Sequence, residues 1–118
     1  MTEQEFKDRT RKLGLEAIRL VDELPRSRCA DVIGRQLLRC ATSVGANYRA
    51  ACRARSRADM LAKLAIVEEE ADEVIYWLDL LVAARLASEP DTENLMAEAD
   101  NILAMTVASI KTLRRSRA

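Results

Sequence analysis

Residues 28–57 read RCADVIGRQLLRCATSVGANYRAACRARSR, and this stretch decides the fold class. Read as an α-helix, it separates into two opposite faces, each within an arc of about 80°. One face carries an arginine row, which only Asp31 interrupts with an acid: Arg28, Arg35, Arg39, Arg49 and Arg53. The opposite face is apolar: Ile33, Leu37, Val44, Tyr48 and Ala51. The pattern predicts a long amphipathic helix that buries one face.

The rest of the chain also favours helices. The 118 residues include three glycines and two prolines, which is too few for a chain of turns and hairpins. Apolar residues recur at helical spacing between a break at Pro25, a cap at Ser56 and a loop around Pro90. The helices are expected at about 2–24, 28–55, 57–87 and 91–116. We predict an all-α fold, in which residues 1–118 form a single domain, an antiparallel up-and-down four-helix bundle.

The predicted third helix is apolar on two sides. Its core side contains Leu64, Val67, Ala71, Val74, Ile75, Leu78 and Val82. A monomeric bundle has no use for a second apolar face, so we predict a homo-oligomer. The candidate interface residues on the second side are Ile66, Glu69, Glu73, Trp77 and Leu80. Trp77 is the expected anchor, because interface centres are enriched in tryptophan.

Residues 41–47, ATSVGAN, form an unusually small-residue segment at the centre of the predicted second helix. Gly45 costs about 1 kcal/mol relative to alanine inside a helix, so something should compensate for it. Close approach of a neighbouring backbone is the simplest compensation. A cofactor contact at Ser43 or Asn47 is the alternative.

The sequence offers no recognisable catalytic or metal site, and no cofactor or small-molecule substrate is expected. The chain has no histidine, and its three cysteines lie on one predicted helix without the close pairs of a zinc site. They are expected to be small buried hydrophobes. Residues 68–73, EEEADE, are expected to form a solvated or salt-bridged face. The absence of a long apolar run or a signal peptide favours a soluble cytoplasmic protein without a membrane partner.

Charge is segregated although the net charge is zero. The arginine row, together with Arg114, Arg115 and Arg117 near the C-terminus, could bind the phosphates of RNA or DNA. Alternatively, the row could pair with acids of a second subunit, since Glu68, Asp72 and Asp79 lie along one side of the third helix. The sequence leaves both interpretations open.

Four segments carry a resemblance to a known family: Leu24-Pro25, Gln36-Leu37-Leu38-Arg39, the small segment Ala41 to Asn47, and Arg55-Ser56. They resemble the bacterial four-helix-bundle proteins, which include those encoded in intervening sequences of 23S ribosomal RNA genes. The accessory protein of diversity-generating retroelements is similar in fold. The likeness covers nearly the whole chain, and residues 41–47 are its most specific part.

The resemblance implies a four-helix protomer that assembles as a ring-like homopentamer, with no enzymatic activity established for the family. The retroelement relatives imply nucleic-acid binding through basic surfaces, in partnership with a reverse transcriptase. This chain departs from the pattern at residues 48–52, YRAAC, where many members have an acid, and in its more acidic third helix. The expected function is therefore that of a non-enzymatic, homo-oligomeric interaction protein.

Overall fold

The computed structural model describes residues 1–116, which form four α-helices. Their bounds are α1 Glu3–Asp22, α2 Arg28–Cys52, α3 Arg57–Ala83 and α4 Glu89–Arg115. Each helix packs against its neighbours in the chain, and α1 also contacts α4, so that α1 and α3 lie diagonally across the bundle. The bundle measures 51 × 21 × 21 Å. The predicted all-α, antiparallel up-and-down four-helix bundle is confirmed.

A hydroxyl side chain caps the start of every helix. Thr2, Ser27, Ser56 and Ser88 each have an extended backbone and accept a hydrogen bond from the backbone N–H three residues later. Each cap satisfies one of the donors that a helix N-terminus leaves without an internal partner. Ser88 is the cap of α4, so this helix begins at Glu89, two residues before the predicted start at 91.

The end of α3 differs most from the prediction. The helix ends at Ala83, four residues before the predicted end at 87. Arg85 adopts a left-handed backbone with a φ of 60°, and the N–H of Leu86 donates to the carbonyl of Leu81 at 2.9 Å. This is a Schellman motif, whose left-handed position usually holds glycine. Because arginine occupies it here, residue type alone gave no stop signal.

The core lies along the axis of the bundle, and all four helices contribute to it. Its fully buried aliphatic residues include Leu13 of α1, Leu37 and Val44 of α2, Leu78 of α3 and Ile102 of α4. The apolar face predicted for α2 packs into this core, with Ile33 and Tyr48 partly buried at its edges. Phe6 meets the ring of Tyr48 edge-on, with 4.4 Å between centroids.

The seam between α1 and α2 contains all three glycines of the chain. A Cβ built on Gly45 would lie 3.4 Å from the backbone carbonyl of Thr10, and one on Gly14 would lie 3.7 Å from the Cα of Thr42. The two backbones therefore approach each other closely at these positions, as predicted for Gly45. Asn47 was predicted, as the alternative, to contact a cofactor. Its side-chain amide donates to the carbonyl and hydroxyl oxygens of Ser43, both at 2.9 Å, and so has partners within its own helix.

Candidate interaction surfaces

The five members of the arginine row are exposed on the outer side of α2, but they do not face one direction. Arg39 lies at the edge toward α3, where it meets acids of that helix. Arg49 lies at the opposite edge and lines a groove between α1 and α2. Arg28, Arg35 and Arg53 lie between these edges on the helical wheel. Within residues 1–116, Arg39 is the one member of the row that has an ion pair.

Arg39 joins α2 to α3 in a network that we call the Arg39 clamp, formed by Arg39, Glu70, Glu73 and Trp77. One guanidinium nitrogen of Arg39 donates to Glu70 at 3.0 Å and another donates to Glu73. Glu73 also accepts a hydrogen bond from the indole nitrogen of Trp77 at 3.1 Å. The hydrogen bond from Arg39 is the main cause that lowers the pKa of the Glu73 carboxyl. The clamp thereby fixes the position of the half-buried indole.

One end of the bundle is basic, because the antiparallel topology brings the end of α2, the start of α3 and the end of α4 together. Arg57 ties these elements, since its guanidinium donates to the carbonyl oxygens of Leu113 at 2.8 Å and Arg114 at 2.7 Å. The side chains of Arg114 and Arg115 are exposed at this end, near the exposed Arg53. Arg117 lies outside the described residues. The predicted nucleic-acid candidates thus include one group at this end and one along α2.

The outer face of α3 exposes large apolar side chains. Ile66 is 36% and Tyr76 is 57% exposed, while Trp77 and Leu80 are partly buried beside them. The rings of Tyr76 and Trp77 meet edge-on with 5.0 Å between centroids. Glu69 is exposed on the same face, and Glu73, which pairs with Arg39 in the clamp, lies between Ile66 and Leu80 on the helical wheel. We use the term α3 outer face for Ile66, Glu69, Tyr76, Trp77 and Leu80.

Tyr76 is the member of this face that the sequence analysis did not assign. At helical spacing it lies about 20° from Glu69 and about 40° from Leu80 on the wheel, so the same periodicity contains it. Trp77 was predicted as the anchor of this face, and Tyr76 next to it was not assigned to the face.

A groove of about 570 Å³ follows the outer side of the seam between α1 and α2. Its floor consists of small residues, namely Gly14, Thr42, Gly45 and Ala46. Leu15 and Ile18 of α1 line it and are 38% and 41% exposed. The small segment of α2 was predicted to allow close helix packing, and this groove was not predicted.

The cysteine expectation is only partly correct. Cys40 is buried, and burial is the main cause that raises the pKa of its thiol to about 12. Cys52 is half-buried with a raised pKa, mainly because of burial. Cys29 is exposed, since it lies in the first turn of α2, beyond the protection of the core.

Across residues 1–116, no group of three or more histidine, cysteine, aspartate or glutamate side chains is arranged to hold a metal ion. Over the same range, none of the helices combines the length and apolar character that crossing a membrane requires.

These features define a class of protein, a helical bundle whose notable surfaces are an exposed apolar helix face, a small-residue groove and a row of arginines. The family model described as 23S rRNA-intervening sequence protein matches residues 2–108. The chain belongs to this family, as its resemblance to the family had indicated.

A solved structure supports the assignment. The chain is 32% identical to a protein of unknown function from the S23 ribosomal protein family of Bacteroides thetaiotaomicron, with a TM-score of 0.87. The match covers 94% of this chain and 99% of the other. A search of curated proteins found no match.

Proposed function

We propose that this chain is a non-enzymatic interaction protein that self-associates through the α3 outer face. The observation that carries the proposal is the exposure of Ile66 and Tyr76 beside Trp77 and Leu80 on one side of one helix. Single exposed apolar residues are ordinary, but several large ones on one side of a helix, with charged residues among them, favour a protein interface. The clamp supports this role, because a pre-positioned tryptophan loses less conformational freedom on association.

The non-enzymatic part of the proposal rests on the chemistry of the side chains. The chain has no histidine, and the raised pKa values of Cys40 and Cys52 keep these thiols protonated and poorly nucleophilic at neutral pH. The carboxylate of Glu73, which pairs with Arg39, has a lowered pKa and is a weak base. These groups suit structural roles.

The oligomer proposed from the family resemblance is a ring-like homopentamer. Light scattering on the purified protein tests it directly, since each chain has a mass of 13.2 kDa. Leu80→Arg should dissociate the oligomer, because it places a charge within the α3 outer face. Ala104→Arg, at an exposed position of α4, is the matched control and should keep the wild-type mass. A monomeric wild type would contradict the proposal.

Nucleic-acid binding is the second candidate function. The observation that favours it is that Arg28, Arg35 and Arg53 are exposed and have no ion pair within the described residues. Arg114 and Arg115 extend the positive surface at the basic end. Such a surface would contact phosphates and would bind more weakly as salt rises. The alternative is that these arginines pair with acids of a neighbouring subunit.

Binding of RNA and DNA across a salt series distinguishes the two roles of the arginines. Arg35→Glu should weaken binding without changing the oligomer mass if the row is a phosphate-binding surface. Arg19→Glu makes the same change at an exposed position of α1 outside the row and should leave binding nearly unchanged. Loss of the oligomer in Arg35→Glu, with no binding by the wild type at low salt, would favour the subunit contact.

A further inference from the structure

The groove between α1 and α2 has a floor without large side chains. Gly14, Thr42, Gly45 and Ala46 line it, and none of them has a side chain larger than that of threonine. Leu15 and Ile18 stand beside this floor with more than a third of their surface exposed. The groove therefore presents an apolar wall and a shallow floor that large side chains from another molecule can enter.

We infer that this groove receives the α3 outer face of a second copy of the chain. The inference rests on the self-association proposed above and adds the second surface of that contact. Ile66, Tyr76 and Leu80 supply the large side chains that the groove lacks. Trp77 stands beside them in a position that the clamp fixes.

The charges of the two surfaces are complementary. Lys7, Arg11 and Arg49 line the groove together with one acid, Asp8, so its lining has a net positive charge. Arg11 and Arg49 have no ion pair within the described part of the chain. Glu69 and Asp72 are exposed on the outer side of α3, and neither of them has an ion pair within residues 1–116. By contrast, Glu70 and Glu73 are already occupied by Arg39. Docking would bring two unpaired acids to two unpaired arginines, which favours this partner and fixes its register.

The lengths of the two surfaces also agree. The groove extends along α1 from Gln4 to Ile18, and the α3 outer face extends from Ile66 to Leu80. Each covers about 21 Å of helix at a rise of about 1.5 Å per residue. The exposed part of α3 can therefore lie along the groove over its whole length.

The positions of the surfaces determine the kind of assembly. Since α3 is diagonal to α1, the α3 outer face and the α1/α2 groove lie on different sides of the same protomer. A contact between them is head-to-tail, so each copy offers one free groove and one free face. Such contacts propagate until the rotation closes a ring.

A complementation experiment tests this arrangement by light scattering. Ala46→Arg blocks the groove at an exposed position, and Leu80→Arg spoils the face. Each variant alone should be a 13.2-kDa monomer, while an equimolar mixture should form a one-to-one pair, because each partner retains one intact surface. Ala104→Arg, the control on α4, should keep the wild-type mass. Circular dichroism of each variant verifies that the helices remain folded.

The outcomes separate this inference from the proposal on which it depends. A monomeric wild type would overturn both. Dissociation by Leu80→Arg together with a wild-type mass for Ala46→Arg would preserve self-association through α3 and overturn docking in the groove. Two dissociated variants that do not pair when mixed would also overturn the head-to-tail contact.

A charge exchange provides a second test, in which charged side chains are replaced by side chains of the opposite sign. Arg49→Glu alone and Glu69→Arg alone should each weaken self-association roughly tenfold, since each places like charges across the contact. The two substitutions combined in one chain should restore most of the affinity. Failure of the combined variant to exceed either single variant would overturn the proposed register. Arg19→Glu is the control and should leave the affinity unchanged.

Discussion

The outer faces of α2 and α3 differ in the kind of side chain that they expose to water. Both helices bury one face in the common core, through residues such as Leu37 and Leu78. The outer side of α2 carries arginines that water solvates well, whereas the outer side of α3 carries Ile66 and Tyr76. A charged face is stable in a monomer, whereas large exposed apolar side chains gain free energy when a partner covers them. We therefore expect a partner to cover the outer side of α3 rather than that of α2.

The clamp marks the border between these two faces. Arg39 is a member of the arginine row, yet its partners Glu70 and Glu73 belong to α3. Its neighbours in the row remain exposed. The clamp therefore uses one arginine of α2 to organise the apolar face next to it, through the bond from Trp77 to Glu73. Within the arginine row, Arg39 thus has a structural role, and the other four arginines are exposed to solvent.

The comparison assumes that α2 and α3 bury their inner faces to the same extent. Truncation of core side chains tests this assumption and has the largest expected effect on stability. Leu37→Ala and Leu78→Ala should each lower the free energy of unfolding by about 2–5 kcal/mol, because both side chains are fully buried. Val32→Ala, at a 61% exposed position of α2, should change it by less than about 0.5 kcal/mol. Urea unfolding at a fixed protein concentration measures all three. A large loss for Val32→Ala would show that the outer side of α2 is also covered.

The difference between the outer faces should appear in the concentration dependence of stability. The Tm of the wild type should rise with protein concentration, since association stabilises the folded state by mass action. Tyr76→Ser should remove most of that rise, with a loss of about 1–2 kcal/mol of contact energy. Val32→Ser removes an apolar side chain of similar exposure from α2 and should leave the rise intact. Equal effects of the two substitutions would contradict the assignment of the interface to α3.

Much of this fold could be predicted because its signals lie within short stretches of the sequence. Hydroxyl caps precede the helices, and the period of the apolar residues fixes the inner faces of α1 and α2. Gly45 predicted a close backbone approach, and Thr10 provides it. The early end of α3 could not be predicted, because an arginine at residue 85 occupies a position at which glycine is the usual signal.

The candidate sites could be predicted less completely, since they depend on which helices become neighbours. The sequence placed the five arginines on one side of α2, but not the different surroundings of Arg39 and Arg49. Those surroundings come from α3 and α1, which flank α2 on its two sides. Likewise, the groove requires two helices, and no single periodic pattern contains it. The interface role of α3 and the role of the arginine row both stay predictions.

The ends of α2 and α3 allow a sharper comparison with a smaller effect. Arg85→Gly should raise the free energy of unfolding by about 0.5–1 kcal/mol, because glycine adopts the left-handed backbone without the cost that other residues meet. Arg53→Gly makes the same change at the end of α2, where φ is −105°, and should give no gain. Thermal unfolding of both variants measures the contrast. A loss of stability in Arg85→Gly would indicate that the arginine side chain itself stabilises the end of α3.

The clamp should have the smallest effect on stability and a characteristic dependence on pH. Arg39→Ala should lower the free energy of unfolding by about 0.5–1 kcal/mol at pH 7, since the side chain of Arg39 is 49% exposed and solvent screens its ion pairs. Arg35→Ala, at an exposed position without an ion pair in the described chain, is the matched control and should have almost no effect.

The sign of the pH dependence follows from Glu73. Arg39 holds the pKa of this carboxyl below its ordinary value of 4.5, so the stabilisation is fully present above that pH. It is lost as the pH falls below 4.5 and through the lowered pKa of the folded state, because the protonated carboxyl no longer pairs with the guanidinium. The difference between wild type and Arg39→Ala should therefore shrink in this range. Fluorescence of Trp77, the one tryptophan of the chain, should shift in the variant at pH 7 as Glu73 is released. A stability difference that stays constant from pH 7 to pH 3 would show that Arg39 acts on α3 by packing alone.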